Sequence, residues 1–266
     1  MDTHLKTVTF QQPIRILENA QARSEVLTLI GEAPLFIRIQ EVPLATILRT
    51  PGSEKAHAAG FCLGEGLVDA PGDIADITVQ HQDDGACRAD IKLSPGQYAR
   101  LTDPKAPHPV FSPARQQADP PEARQLSPVP DTPRVSAEDA KARLLGLDAI
   151  QPLRQKTRAS HGAAIYDPGL GLLSVAEDVG RHNALDKAIG DIFLNGTLSR
   201  AHLLTLSSRI SAELVQKAAR ARIPLILAIS RPTALAVHMA DALNITLASL
   251  GKDDRLYVYC RPDRLV

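Results

Sequence analysis

The chain has 266 residues, in which 30 Lys plus Arg balance 30 Asp plus Glu, and its pI is near 7.1. That length provides ample core for one large domain or two modest ones, and the balanced charge gives no reason for bulk binding to nucleic acid or to a membrane surface. Aromatic residues make up 3% with no Trp, against a base-stacking platform, and no apolar run approaches the roughly twenty residues a membrane span needs. The N-terminus lacks the basic-then-apolar pattern of a signal peptide, so a cytoplasmic protein is expected. The cysteines at 62, 87 and 260 are widely spaced and suggest neither a disulfide framework nor a zinc knuckle.

Residues 1–25 show no strong period and are expected to include a flexible start. Val26 to Glu41 reads as a hairpin, with VLTLI and LFIRIQ joined through Gly31-Glu32-Ala33-Pro34. After Pro51-Gly52, Ser53 is placed to cap a helix from Glu54 to about Gly64. ITVQ (77–80) and CRADIKL (87–93) read as a second hairpin. Nine prolines then fall between Asp103 and Arg134, a composition that fits a mobile linker or exposed loop. Ser136 opens a helix with an acidic first turn, and Pro152 limits the helical segment after it.

From residue 162 the pattern is cleaner. GAAIYD and LLSV form a strand pair around Pro168-Gly169, followed by a helix over 181–194. HLLTLS, a helix from Ser211 to Arg222, PLILAIS, a helix from Pro232 to Leu243, ITLASL and LYVYC complete the chain. Short apolar strands alternating with amphipathic helices predict an α/β fold with a largely parallel sheet covered on both faces. The division implied is a smaller β-rich part with one helix at 1–100, a proline-rich loop or linker at 101–135, and an α/β cofactor-binding domain at 136–266.

The stretch Ala176–Gly190, AEDVGRHNALDKAIG, organises the rest. Wound at about 100° per residue, Ala184, Leu185, Ala188, Ile189, Ile192 and Phe193 share one side, and His182, Asn183, Asp186 and Lys187 share the other. Four different hydrogen-bonding chemistries on one face, beside Asp178 and Arg181, suggest a binding surface. Ligands of open parallel sheets sit where strands lead into helix N-termini. Two such junctions here, Ser207-Ser208-Arg209 and Ser230-Arg231-Pro232-Thr233, combine hydroxyls, an arginine and backbone N–H groups that suit phosphate, with Pro232 as first helical residue. Glu213 and Lys217 read as an exposed ion pair. His161 lies next to Gly162, where a backbone can approach a ligand, whereas His57, His81, His202 and His238 show no partner pattern. With no Cys-x-x-Cys or His-x-Glu motif, no metal ligand and no catalytic residue is assigned. Cys62 and Cys260 are expected to be buried, Cys87 less so.

AEDVGRHNALDKAIG, LSSRISAELVQKAARARIPLILAIS and RPTALAVHMADALNITLASL closely resemble the formate dehydrogenase accessory proteins of the FdhD/NarQ type. EVPLATILRTPGSEKAHAAGFCLGEGLVDAPGDI and RASHGAAIYD resemble the same family, so the likeness spans most of the chain outside about 98–135. It implies a cytidine-deaminase-like three-layer α/β/α sandwich without the deaminase zinc site, a smaller β-rich N-terminal part, and a homodimer. It also implies a sulfur carrier that passes sulfur from a cysteine desulfurase to the guanine-dinucleotide form of the molybdenum cofactor before insertion into formate dehydrogenase, with GDP as a mimic of the cofactor's nucleotide half. Mapped onto this chain, the cofactor-binding residues are His161, Asp178, Arg181, His182, Asn183, Asp186, Lys187, Ser207, Ser208 and Arg209, with Ser230, Arg231 and Thr233. One departure matters. The family's Cys-x-x-Cys loop is replaced by HPVFSPARQQADPPEARQLSP, which contains no cysteine. The expectation is therefore a cofactor-handling accessory protein without its own persulfide transfer. The alternatives are sulfur transfer through Cys62 or Cys87, or a non-catalytic paralogue that partners a cysteine-bearing family member.

Overall fold

A computed structural model describes residues 8–18, 21–82, 85–103 and 126–266. Thr9–Glu18 (β1) and Gln21–Ile30 (β2) pair as an antiparallel ribbon, so the stretch without a strong period is strand from Thr9 on; residues 1–7 of the expected flexible start lie outside the described residues. Most of its side chains on both faces are exposed, and this mixed exposure is why no apolar alternation marks it. Ala33–Ile39 (β3) pairs with Val42–Arg49 (β4). The expected hairpin of Val26–Ile30 with Leu35–Gln40 does not form. The turn lies instead at Gln40-Glu41, whose φ values of 49° and 68° are those of a mirror-image turn that follows strand twist, here built without Gly or Asn to announce it.

The helix α1, Glu54–Gly64, lies where expected, but Ser53 has a φ of 57° and its hydroxyl caps nothing. Ile74–His81 (β5) and Cys87–Leu93 (β6) form the second expected hairpin, and a four-stranded sheet results in the order β4-β3-β6-β5. Pro95–Thr102 (α2) follows a Ser94 cap and was not foreseen.

Within the proline-rich segment, residues 104–125 lie outside the described residues. The part from 126 to 135 is docked rather than loose. Val129 is buried, its N–H donates to the Leu243 carbonyl at 2.9 Å, and its carbonyl accepts from Asn244. Ala137–Leu145 (α3) begins under a Ser136 cap. Pro152 starts a helix, Pro152–Thr157 (α4), rather than limiting one, since proline at the first helical position lacks only an N–H that would be unpaired anyway.

Next come His161–Tyr166 (β7), Leu172–Asp178 (β8), Arg181–Leu194 (α5), Leu203–Leu206 (β9), Ala212–Arg220 (α6), Leu225–Ala228 (β10), Ala234–Ala242 (α7), Thr246–Leu250 (β11) and Leu256–Cys260 (β12). The second sheet has the order β12-β11-β10-β9-β7-β8. Only the neighbouring pairs β9–β10 and β10–β11 are parallel; β7 is antiparallel to both its neighbours and β12 to β11, which corrects the largely parallel sheet expected. The cause is connection length. The β7–β8 and β11–β12 links are too short for a crossover, and short links permit only antiparallel pairs.

The architecture is mixed α/β with apolar packing on both faces of the larger sheet. One core joins Leu35, Ile37 and Ile91 of the four-stranded sheet, Ala58, Ala59 and Leu63 of α1, Leu185, Ile189 and Phe193 of α5, and Ile165, Leu204 and Ile226 of the larger sheet. On the opposite face, Ala164, Tyr166, Leu203 and Leu225 meet Ala140 and Leu144 of α3. Helices α1 and α5 cross in direct backbone contact: a Cβ on Gly60 would lie 1.9 Å from the Asp186 carbonyl oxygen, and one on Gly190 1.7 Å from that of Ala56. Among the described residues, no helix is long and apolar enough to cross a membrane.

Candidate functional site

Strands β8, β9 and β10 each end at the same edge of the sheet and lead into α5, α6 and α7. Because β7 runs the other way, its first residue, His161, comes to this edge too, opposite Asp178. The Gly162 N–H donates to Ser207 Oγ at 2.9 Å, and the Ser207 N–H donates to the Gly162 carbonyl at 3.1 Å. The two loops expected to hold phosphate are also tied together, with a bridge between Ile210 and Pro232 and the Thr233 N–H donating to the Ile210 carbonyl at 3.0 Å. Thr233 caps α7 by accepting from the Ala236 N–H, so Pro232 stands before the cap and is not the first helical residue.

His161, Arg181, His182, Ser207, Arg209, Ser230, Arg231 and Thr233 therefore gather, half-buried or exposed, at one end of the sheet beside three helix N-termini. Among the described residues, none of the guanidiniums of Arg181, Arg209 and Arg231 has a carboxylate within ion-pair distance, and Arg181 Nε is buried without a hydrogen bond. Glu213 does not pair with Lys217 as expected; its carboxylate meets His182 Nε2 at 2.8 Å, with Ser211 Oγ 3.3 Å from the same nitrogen. Burial holds both His161 and His182 below the ordinary imidazole value; Arg181 adds to this in both, while Glu213 opposes it in His182. The shift favours the neutral form of both rings, and the arginines carry the permanent positive charge of the site.

The other candidates face inward. Asp178, Asn183, Asp186, Lys187 and Ser208 are buried, and the polar side of α5 proposed as a ligand surface is covered by α1. Asp178 Oδ2 pairs with Lys187 Nζ at 2.7 Å and accepts from the Thr50 N–H; Oδ1 accepts from Gly180 N–H and Asn183 Nδ2. Lys187 also donates to the Thr50 carbonyl, and Asn183 to that of Leu48. These side chains stitch the end of β4 to the start of α5 and so fix the helix N-terminus in place. Ser208 Oγ is turned onto the Arg209 carbonyl.

A second buried cluster lies deeper, where Lys217 Nζ meets Asp186 at 2.9 Å and Glu65 at 3.4 Å. Burial opposes the Lys217 charge, but Asp186 and Glu65 outweigh it and hold the ammonium above its ordinary value. Burial pushes the Asp186 carboxyl up from 3.8 to about 6, against the pull of Lys217. Between those values the folded chain holds a proton that the unfolded chain has released, so this group makes stability fall as pH rises through that window. Urea midpoints at several pH values should show that slope, and Asp186→Asn should flatten it; an unchanged slope in the variant would assign it to other groups.

Sequence reasoning missed Thr50 and Gly60, and marked Glu177 only as half of the acidic pair with Asp178. The Glu177 carboxylate accepts from the Leu153 and Arg154 N–H groups and from Ser160 Oγ, anchoring the start of α4 beside the site. Gly60 had a signal in the small-residue run AHAAG, which lets α5 approach closely; nothing local marks Thr50. No cysteine is an activated thiolate. Burial, reinforced by Asp186 and Glu65, pushes the Cys62 thiol far up, and burial also raises Cys87 and Cys260.

Residues 30–266 match the FdhD/NarQ family. The chain belongs to that family. The sulfur carrier protein FdhD of Mycobacterium tuberculosis is 35% identical over 272 residues, covering 97% of this chain and 98% of the relative. The protein of that name from Xanthomonas campestris is 36% identical over 242 residues, 88% of this chain and 84% of the relative. A solved structure from Desulfotalea psychrophila, provisionally described as a formate dehydrogenase accessory protein, superposes with a TM-score of 0.78 at 22% identity, covering 97% of this chain and 100% of the other. At that identity the likeness is one of fold. The chain itself has no cysteine between Cys87 and Cys260.

Proposed function

We propose that the protein binds the guanine-dinucleotide form of the molybdenum cofactor at this sheet end. There it assists maturation of formate dehydrogenase or a related molybdenum or tungsten oxidoreductase, without persulfide transfer of its own. The observation that carries the reading is the set of arginines, 181, 209 and 231, with no carboxylate partner among the described residues, placed at the positive ends of three helices. Guanidiniums and helix N-termini together suit a pyrophosphate, whose anionic oxygens take charge-assisted hydrogen bonds. The residues present thus fit the nucleotide half of the cofactor, which when bound supplies the molybdenum centre itself. Asp186 and Asn183, buried under Lys217 and Leu48, are poorly placed to read a guanine edge; the exposed carboxylate of Glu213 faces out at the same end and suits its N–H donors.

The names of the relatives support an accessory role, and the buried, protonated state of Cys62 and Cys87 argues against either one replacing the missing loop. Sulfur then comes from a partner, a cysteine-bearing family member or a cysteine desulfurase. A homodimer in the cytoplasm, and a cytidine-deaminase-like sandwich in keeping with the helix-covered mixed sheet, belong to the same reading. Calorimetric titration with GDP tests it. Arg181→Ala and Arg209→Ala are each expected to weaken binding about tenfold, the worth of one charge-assisted bond to phosphate. A folded protein that binds no GDP, or binds it equally well in both variants, would overturn the assignment.

A further inference from the structure

At the far end of the β5–β6 hairpin, away from the sheet-end arginines in sequence and on a different sheet, three side chains of different metal-ligating chemistry converge. His81 closes β5 and Cys87 opens β6, and the two are direct cross-strand partners, so their side chains rise from the same face. Glu54, in the first turn of α1, packs over them. The His81 ring nitrogen, the Cys87 sulfur and a Glu54 carboxylate oxygen all lie within 4.8 Å of one another. We infer that Glu54, His81 and Cys87 form a binding site for a divalent transition metal of the zinc class.

The donor set is one imidazole nitrogen, one sulfur and one carboxylate oxygen, which borderline-soft Zn2+ accepts and hard Mg2+ or Ca2+ does not. Around a tetrahedral ion with bonds of about 2.0–2.3 Å, donors stand roughly 3.5 Å apart. Closing the cluster onto an ion therefore asks for about 1 Å of movement. Glu54 and Cys87 are buried and held, but His81 is exposed at a strand end and can swing to complete the set. Glu54 Oε1 accepts from the Gly52 N–H at 2.7 Å and pairs with Arg49 Nη2 at 3.1 Å, which orients the carboxylate and leaves Oε2 as the ligand atom.

Binding converts the Cys87 thiol to a metal thiolate and releases its proton to water; no oxidant or reductant is needed. The two anionic ligands then match the charge of the ion, and the Arg49 guanidinium, paired with Glu54, is a further positive charge that must be tolerated. Three protein ligands leave a fourth position to water, the arrangement of an exchangeable rather than a closed structural site. Sequence spacing could not show this, because the ligands come from a helix and two strands and form no short motif.

The test is a Co2+ titration of the untagged full chain, stripped with chelator, followed by absorption. One equivalent is expected to develop a thiolate-to-cobalt charge-transfer band that Zn2+ bleaches. Cys87→Ser should abolish the band, His81→Ala should weaken binding at least tenfold, and Cys62→Ser should leave it intact. Because His81 is exposed, its alanine variant keeps the fold, and its thermal midpoint should rise less at a given Zn2+ concentration than that of the parent. Absence of a thiolate band in the parent, or a band of equal affinity in His81→Ala, would overturn the site.

Discussion

Gly190→Ala is expected to be among the most damaging single substitutions in the protein, although it adds one methyl group. That methyl would lie 1.7 Å from the Ala56 carbonyl oxygen and 2.7 Å from the Gly60 nitrogen, so its obstacle is backbone on both counts. A flexible side chain could swing aside; a helix cannot, and moving α1 away would open the core between Ala59, Leu63, Leu185 and Ile189. We expect a loss of about 3 kcal/mol or more, at the upper end of overpacking costs, read as a fall in the urea midpoint. Gly72→Ala is the control, since nothing lies within 4 Å of its added Cβ, and it should shift stability by less than about 0.5 kcal/mol. Equal midpoints for the two variants would refute the close crossing of α1 and α5.

Lys187→Met should be of comparable severity for a different reason. Its ammonium is the cationic partner of Asp178, whose carboxylate is 0% exposed. Removing it leaves that charge buried with only dipolar hydrogen bonds from Thr50, Gly180 and Asn183, a situation that costs about 3–5 kcal/mol in buried pairs. The double variant Asp178→Asn, Lys187→Met should be less destabilised than the sum of the two single changes, because the orphaned charge is gone. Arg200 and Asp167 form a pair of the same 2.7 Å length at the surface, and Arg200→Ala should cost at most about 1 kcal/mol. Additivity in the buried cycle would contradict the network.

These two predictions also mark where the sequence was and was not legible. The central strands could be read because LLTL, LILA and TLASL are short, mostly apolar runs, and the helices between them because their apolar residues recur at helical spacing. The β7–β8 edge could be read from its Pro168-Gly169 turn; the antiparallel β12 edge could not, since strand direction follows from link length and pairing rather than from composition. The polar residues of α5 were correctly picked out as unusual, but apart from His182 their direction was misread. Helical spacing shows that His182, Asn183, Asp186 and Lys187 share a side; it does not show that Ala56 and Gly60, more than a hundred positions earlier, are small enough for another helix to cover it. Lys217 followed the same logic: beside Glu213 it reads as a surface pair, yet Asp186 and Glu65 draw it inward and leave Glu213 to His182. What remained at the sheet end was what local chemistry could mark, namely arginines and hydroxyls at helix starts.

The central claim is that those arginines grip a guanine nucleotide, and amide hydrogen exchange with and without GDP tests it most directly by location. GDP is predicted to slow exchange across 207–213 and 229–236 and at the start of α5, while the β5–β6 hairpin stays unchanged. Protection confined to other segments, or none at saturating GDP, would contradict it.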